Sequence, residues 1–83
     1  MHVDPHPLIA EFPEFKDAIH DLKMSDAHFT HLFTDYESVD KAIVRAENGI
    51  DTLTDLELEV LKKQRLSLRD KLYAMLHASR VSA

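Results

Sequence analysis

The stretch from Asp26 to Phe33, DAHFTHLF, brings imidazole and carboxylate groups together at helical spacing. His28, His31 and Asp35 stand at positions i, i+3 and i+7, so they would project from one side of a helix. Such a set could hold a divalent metal weakly. A closed zinc site usually needs four ligands and a catalytic one three plus a water, and the sequence offers no obvious fourth ligand. We therefore expect no metal, and these three residues are the candidates if one binds.

The two histidines also fit ordinary helix chemistry. His28 would lie in a first helical turn, where it can hydrogen-bond near the cap or pack on Phe29, while His31 would be solvated. A pH-sensing role is a further alternative, because imidazole titrates near neutral pH. Of the metal-binding, pH-sensing and structural interpretations of these histidines, the structural one is favoured.

Other catalytic chemistry finds little support in the sequence. The chain of 83 residues has no cysteine and a single glycine, Gly49, which excludes a thiol nucleophile and a glycine-rich phosphate loop. The acids between residues 11 and 21 are spaced for one helix face and should be solvated, because a general acid or base needs a cleft that shifts its pKa. We predict that the protein is not an enzyme and uses no cofactor, unless oligomerisation assembles a pocket around the two histidines and Asp35.

Three cations, Lys62, Arg65 and Arg69, form a basic stripe at helical spacing. The whole chain carries 15 acidic and 10 basic residues, a net charge of −5, which gives no electrostatic footprint for nucleic acid. The acids are concentrated before residue 52 and the bases after it, so pairing between the two halves is the favoured interpretation. An acidic surface on a partner protein, and RNA or membrane phosphate, are the alternatives.

The hydrophobic pattern predicts an all-α protein that forms one small domain over residues 1–83. Residues 1–11 carry two prolines at positions 5 and 7 and are expected to form a loose tail. A short amphipathic helix is predicted over about 13–23, where apolar residues recur at helical spacing behind a proline that suits a first helical position.

Two longer helices follow. The first is predicted over about 25–48, with Ser25 as its N-cap and an Asn-Gly pair at its end. The second is predicted over about 54–79 and begins with a capping box, in which Thr54 and Glu57 satisfy each other's backbone amides. Two helices of similar length joined by a short turn should form an antiparallel, coiled-coil-like hairpin.

This hairpin predicts ion pairs between its arms. The expected pairs are Asp40 with Lys62 or Lys63, Glu37 with Arg65, and Arg45 with Glu57. Exposed pairs contribute ~0 to 1 kcal/mol each, so they should help to select the register more than they stabilise the fold.

Three segments of the chain resemble a known family. They are EFPEFKDAIHDLK, SDAHFTHLFTDYESVDKAI and LKKQRLSLRDKLYAML, with a short polar turn between the last two. In this order and spacing, over roughly Glu11 to Leu76, they are similar to the YdcH-like family of small bacterial proteins, a domain of unknown function. The resemblance implies a short helical hairpin in a bacterial cytoplasmic protein, and it supplies no catalytic residues. The tail that carries His2 and His6 is longer than the resemblance implies, and the sequence assigns it no role.

Some apolar side chains of the second arm fall outside its seam. Leu66 and Tyr73 lie together to one side, while Leu53, Leu56 and Val60 lie on roughly the opposite side near the turn. The short N-terminal helix can cover one of these patches, and the other should meet a second copy. We predict an interaction module that forms a homodimer or higher oligomer, with a dimer favoured, or that binds an unidentified protein partner. Leu66, Tyr73 and the basic stripe are the predicted interaction residues.

The N-terminus shows no targeting signal. It lacks a basic leading region, and its apolar run over residues 8–10 is too short for a signal peptide or a membrane span. We therefore expect a cytoplasmic protein without membrane contact.

Overall fold

Helices make up almost all of the chain that the computed structural model describes, which is residue 5 and residues 7–81, with residues 80 and 81 described by their backbone alone. In chain order the elements are α1 (Leu8–Glu11), one turn of 3-10 helix (Pro13–Phe15), α2 (Lys16–Ser25), α3 (Ala27–Glu47) and α4 (Asp55–Val81). No strand occurs within these described residues. The predicted all-α fold is confirmed.

The two long helices, α3 and α4, form the predicted hairpin. Beyond the end of α3, Gly49 adopts a φ of 77°, a left-handed conformation that glycine reaches without steric cost. The Ile50 amide donates to the Arg45 carbonyl at 2.9 Å and so closes the end of the helix. The capping box at the start of α4 is also present. The Thr54 amide donates to the Glu57 carboxylate at 3.0 Å, and the Glu57 amide donates to the Thr54 hydroxyl at 3.1 Å.

The break between α2 and α3 falls one residue later than predicted. Asp26, not Ser25, is the N-cap of α3, and its carboxylate accepts a hydrogen bond from the Phe29 amide at 3.0 Å. The Ser25 hydroxyl instead donates to the Asp21 carbonyl at 2.8 Å, which keeps Ser25 inside the last turn of α2. Both residue types cap helices well, and the extended backbone at Asp26 decides between them.

The N-terminal segment is part of the fold, so the prediction of a loose tail is wrong for residues 8–11. These residues form α1, and Leu8 is only 1% exposed. The chain then turns at Phe12 into the 3-10 turn, so the predicted helix over about 13–23 is a 3-10 turn followed by α2. Residues 1–4 and 6, which include His2 and His6, lie outside the described part of the chain.

The core lies where α1, α2 and the 3-10 turn pack on one end of the hairpin. Its buried members are Leu8, Phe12, Phe15, Ile19, Phe29, Leu32, Phe33, Tyr36, Leu72 and Leu76. At the end of the hairpin near the turn, none of the described residues forms such a layer over α4, and several apolar side chains there are exposed. Among the described residues, no helix combines the length and the apolar character needed to cross a bilayer.

Candidate functional site

The histidines of α3 lie on the protein surface. The His31 Nε2 atom is 3.4 Å from the Asp35 Oδ2 atom, and the two side chains are 75% and 48% exposed. His28 is also exposed. In the described part of the chain, no group of three or more histidine or acidic side chains is placed to hold a metal. The structure therefore brings His31 and Asp35 together without completing a ligand set around them.

The basic stripe of α4 is engaged within the chain. The Lys62 Nζ atom lies 2.9 Å from the Glu47 carboxylate, and the Arg65 guanidinium lies 2.8 Å from Asp40. The Arg69 guanidinium stacks over the Phe12 ring at 4.7 Å. Each cation of the stripe therefore already has a partner within the chain.

The three predicted ion pairs between the arms are wrong, because each cation pairs with a different acid. Arg65 pairs with Asp40 rather than with Glu37, and Lys62 pairs with Glu47. Arg45 pairs at 2.8 Å with Asp51 in the turn. The hydrogen bond with Arg45 holds the pKa of Asp51 below its usual value and raises the pKa of Arg45. Glu57, the predicted partner of Arg45, belongs instead to the capping box, where hydrogen bonds from Thr54 lower the pKa of Glu57.

Asp40 is buried in the interface between α3 and α4. It is 4% exposed, and its carboxylate accepts the bond from Arg65, whose side chain is 23% exposed. One turn before it lies Tyr36, which is 1% exposed. Burial and the nearby charges of Asp40 and then Glu11 raise the pKa of Tyr36 from 10.0 to about 12. Tyrosine, carboxylate and guanidinium thus form one polar strip through an apolar interface.

The sequence contained a signal for this strip. Arg65 falls at a seam position of α4, and a cation in an apolar seam requires a buried counter-ion. Asp40 lies four residues after Tyr36 and three before Ile43, so helical spacing places it on the buried face of α3. Val39, the apolar residue next to Asp40 in the sequence, is only partly buried.

The two apolar residues predicted for the interface have different surroundings. The Tyr73 ring lies 5.2 Å from the Phe12 ring and 5.9 Å from the Phe15 ring, so the N-terminal segment covers much of this patch. Tyr73 remains 42% exposed. Leu66 is 55% exposed and lies outside the hydrophobic core.

A second apolar surface lies at the start of α4, next to the turn. We call it the tip groove, and its lining residues are Leu53, Leu56, Glu57, Val60, Leu61 and Gln64. Leu56 is 71% exposed and Val60 is 48% exposed. Along one flank of α4 beside them, Glu59 and Lys63 form an exposed ion pair at 3.2 Å. Its lining is mostly apolar, and Glu57 and Gln64 are the polar residues in it.

Comparison with known proteins places these features in a family. The sequence profile of the family described as "Protein of unknown function (DUF465)" matches residues 29–76. The chain belongs to this family. It is 33% identical over 70 residues to "Uncharacterized protein YdcH" of Escherichia coli (strain K12), a match that covers 84% of this chain and 95% of the relative. "Uncharacterized protein YdcH" of Shigella flexneri matches with the same identity and coverage. No solved structure matches the chain significantly.

The family assignment confirms the resemblance to YdcH-like proteins and locates it on the hairpin. The matched DUF465 segment runs from Phe29 in α3 to Leu76 in α4. It therefore includes Asp40, Arg65 and the whole of the tip groove. Because the family is described by its unknown function, membership supplies no activity, and a function must be argued from the surface itself.

Proposed function

We propose that this protein is an interaction module, a helical hairpin that binds a protein helix in the tip groove. The observation that supports the proposal is the exposure of Leu56 and Val60, 71% and 48%, side by side in one groove. Burying a leucine or valine side chain is worth about 1.5 to 3 kcal/mol, so covering both would contribute substantially to binding. Contiguous exposed apolar surface on small proteins commonly marks an interface.

The tip groove differs from the other exposed apolar residues of the described chain. Met24 and Ile9 are 78% and 46% exposed, but neither lines the groove, and scattered apolar residues of this kind are normal on protein surfaces. In the groove the apolar side chains stand one helical turn apart on α4. An incoming amphipathic helix meets that spacing with its own apolar face.

The alternative functions have less support. A nucleic-acid accessory protein would use Lys62, Arg65 and Arg69, and all three already contact other side chains of the chain. A metal-dependent site would have to form around His31 and Asp35 on assembly of several copies. We propose no catalytic role, and a cytoplasmic location stays a prediction.

Photo-crosslinking in the native cell tests the proposal without assuming a partner. A photo-reactive phenylalanine derivative placed at Leu56 should form covalent adducts with a protein, because this side chain would lie inside the interface. The matched control carries the same group at Lys41, an exposed position of α3. Adducts that form from position 56 and not from position 41 support the proposal. Equal labelling from both positions, or none from position 56, contradicts it.

A further inference from the structure

We infer that the helix received by the tip groove is α4 of a second copy of this chain, docked antiparallel so that the two α4 helices cross near Val60. The inference rests on the proposed function, since it names the partner of the same groove. The result is a symmetric dimer in which each hairpin contributes the same surface.

A two-fold crossing near Val60 makes the groove complementary to itself. In an antiparallel pair, residues equally distant from the crossing in opposite directions meet. Val60 then packs on the Val60 of the second copy, and Leu56 packs on the aliphatic part of Gln64. Both copies of Leu56 and Val60 leave water in a single contact. This contact therefore accounts for both side chains that are exposed in the single chain.

The charges of α4 favour the antiparallel direction. Asp55, Glu57 and Glu59 are exposed near the start of the helix, and Lys63 is exposed one turn later. An antiparallel crossing places the acidic turn of one copy beside Lys63 of the other. A parallel crossing would place the two acidic turns side by side, and like charges at close range oppose association.

Glu59 and Lys63 are the pair best placed to act across the interface. They lie on the same flank of α4, four residues apart, and an antiparallel two-fold brings equal flanks of the two helices together. Their side chains are 60% and 76% exposed, so the 3.2 Å contact within one chain is free to be exchanged for one between chains. Glu59 lies one residue before the crossing and Lys63 three residues beyond it, so Lys63 of the second copy comes within about 3 Å of Glu59 along the helix axis, and the two-fold forms this pair twice.

Leu66 provides a matched comparison, because it is another exposed leucine on α4. Helical geometry places it about 120° around the helix from Val60, where the two copies would cross. It is not among the groove's lining residues. Leu56→Glu and Leu66→Glu therefore make the same chemical change on two different sides of one helix.

The first test is the oligomeric state of the full chain, measured by sedimentation equilibrium from micromolar to submillimolar concentration. We expect a dimer whose dissociation constant rises by about a hundredfold or more in Leu56→Glu, because each of the two copies loses one buried leucine. Leu66→Glu should leave the dissociation constant within about twofold, since exposed changes outside an interface are nearly neutral. A monomer throughout the range, or loss of the dimer in Leu66→Glu alone, overturns the inference. Far-ultraviolet circular dichroism of both variants establishes that the helices are retained.

Disulfide trapping then tests the direction of the helices, and the chain is suited to it because it has no cysteine. Copies carrying Leu56→Cys and copies carrying Gln64→Cys are mixed and oxidised. The antiparallel crossing predicts disulfides between positions 56 and 64 of different copies, and few between two positions 56. The parallel crossing predicts the reverse, which would overturn the inference.

Charge reversal tests the cross-copy pair of Glu59 and Lys63. Lys63→Glu and Glu59→Lys should each weaken self-association by about tenfold, since two attractions per dimer become repulsions. An equimolar mixture of the two variants should form heterodimers more tightly than either variant pairs with itself, although the contact within each chain is still repulsive. Single reversals that leave the dimer unchanged contradict the assignment.

The outcomes separate this inference from the proposed function. If the chain is a monomer while a photo-reactive group at Leu56 still captures another protein, the groove binds a different partner and the second-copy inference fails alone. If neither self-association nor capture occurs through position 56, both fail.

Discussion

Asp40 and Arg65 form an ion pair in the contact between α3 and α4, where Asp40 is buried and Arg65 is largely buried. Removing two charges from water is costly, and their attraction offsets that cost only when the geometry is good, as the 2.8 Å contact indicates. Such a pair adds little net stability compared with apolar residues of the same size. It does penalise every other alignment of the two helices, because a shifted register would leave a buried carboxylate without its cation.

We therefore predict that Arg65→Met lowers the free energy of unfolding by about 3 kcal/mol, because Asp40 is left buried without its cation. Adding Asp40→Leu to that variant should recover most of the loss, since the interface is then apolar on both sides. Lys41→Met is the control, because this exposed lysine of α3 lies outside the contact and its loss should change the free energy of unfolding by no more than about 0.5 kcal/mol. Urea denaturation at one fixed protein concentration measures all three. A double variant as unstable as the sum of its parts would contradict this account.

Tyr36 reports on the same interface through its ionisation. Burial is the largest cause of its raised pKa, and the nearby carboxylates of Asp40 and Glu11 add to it because they repel a phenolate. The folded state therefore keeps the proton between pH 10 and about 12, where the unfolded chain has released it. The contribution of this group to stability is complete below pH 10 and is lost as the pH rises from about 10 to about 12.

The corresponding prediction concerns a variant with one tyrosine. In Tyr73→Phe the phenol absorbance should titrate near pH 12 in the folded protein and near pH 10 in urea. The chain has no tryptophan, so the ultraviolet signal belongs to Tyr36. Circular dichroism recorded on the same samples shows whether the helices persist. Ionisation near pH 10 with full helix content would mean that Tyr36 is not buried as described.

At the scale of the elements, the caps determine where α3 begins. The carboxylate of Asp26 satisfies the Phe29 amide, one of the four amides that a helix start leaves without partners. The Ser25 hydroxyl instead donates to the carbonyl of Asp21, four residues earlier in α2, and so satisfies none of the free amides of α3. We predict that Asp26→Ala lowers the free energy of unfolding by about 1 kcal/mol.

The neighbouring substitution provides the control. Ser25→Ala should change stability by no more than about 0.5 kcal/mol, because the residue is exposed and its hydroxyl caps nothing. Thermal unfolding of both variants under identical conditions compares them. A larger loss for Ser25→Ala than for Asp26→Ala would place the cap one residue earlier.

These two residues also show what sequence can predict about the elements. The long helices and the turn were predictable, because one glycine and one capping box are the only strong punctuation after the N-terminal prolines. The choice between Ser25 and Asp26 was not, since either residue type suits an N-cap and the backbone conformation that decides between them is set by packing. Asp40 is a mixed case, because its spacing from Tyr36 and Ile43 places it on the buried face of α3, whereas its partner Arg65 is determined only by how α4 packs against α3.

For the whole molecule, the decisive feature is that the N-terminal segment packs on the hairpin. The Phe12 and Phe15 rings contact Tyr73 of α4, and Leu8 is buried in the same cluster. The sequence does not predict this packing, because Leu8 follows two prolines in a stretch whose apolar residues show no helical spacing. Its burial depends on a surface formed by residues far along the chain. The tip groove was easier to anticipate, because its apolar residues repeat within one helix.

Leu8 and Ile9 give a direct test of that N-terminal layer. Leu8 is 1% exposed and Ile9 is 46% exposed, although they are adjacent and lie in the same short helix. Leu8→Ala should lower the free energy of unfolding by about 2 to 5 kcal/mol, since it removes buried methyl groups and leaves a cavity among aromatic rings. Ile9→Ala should lower it by less than about 1 kcal/mol.

The comparison is made by urea denaturation followed by circular dichroism at 222 nm. If the N-terminal segment folds with the hairpin, Leu8→Ala shifts the single unfolding transition of the whole protein. If the segment is instead a loose tail, the two substitutions have equal and small effects, because neither side chain then loses a packed environment. That result would mean that the fold consists of the α3–α4 hairpin alone, with the Tyr73 side of α4 open to solvent.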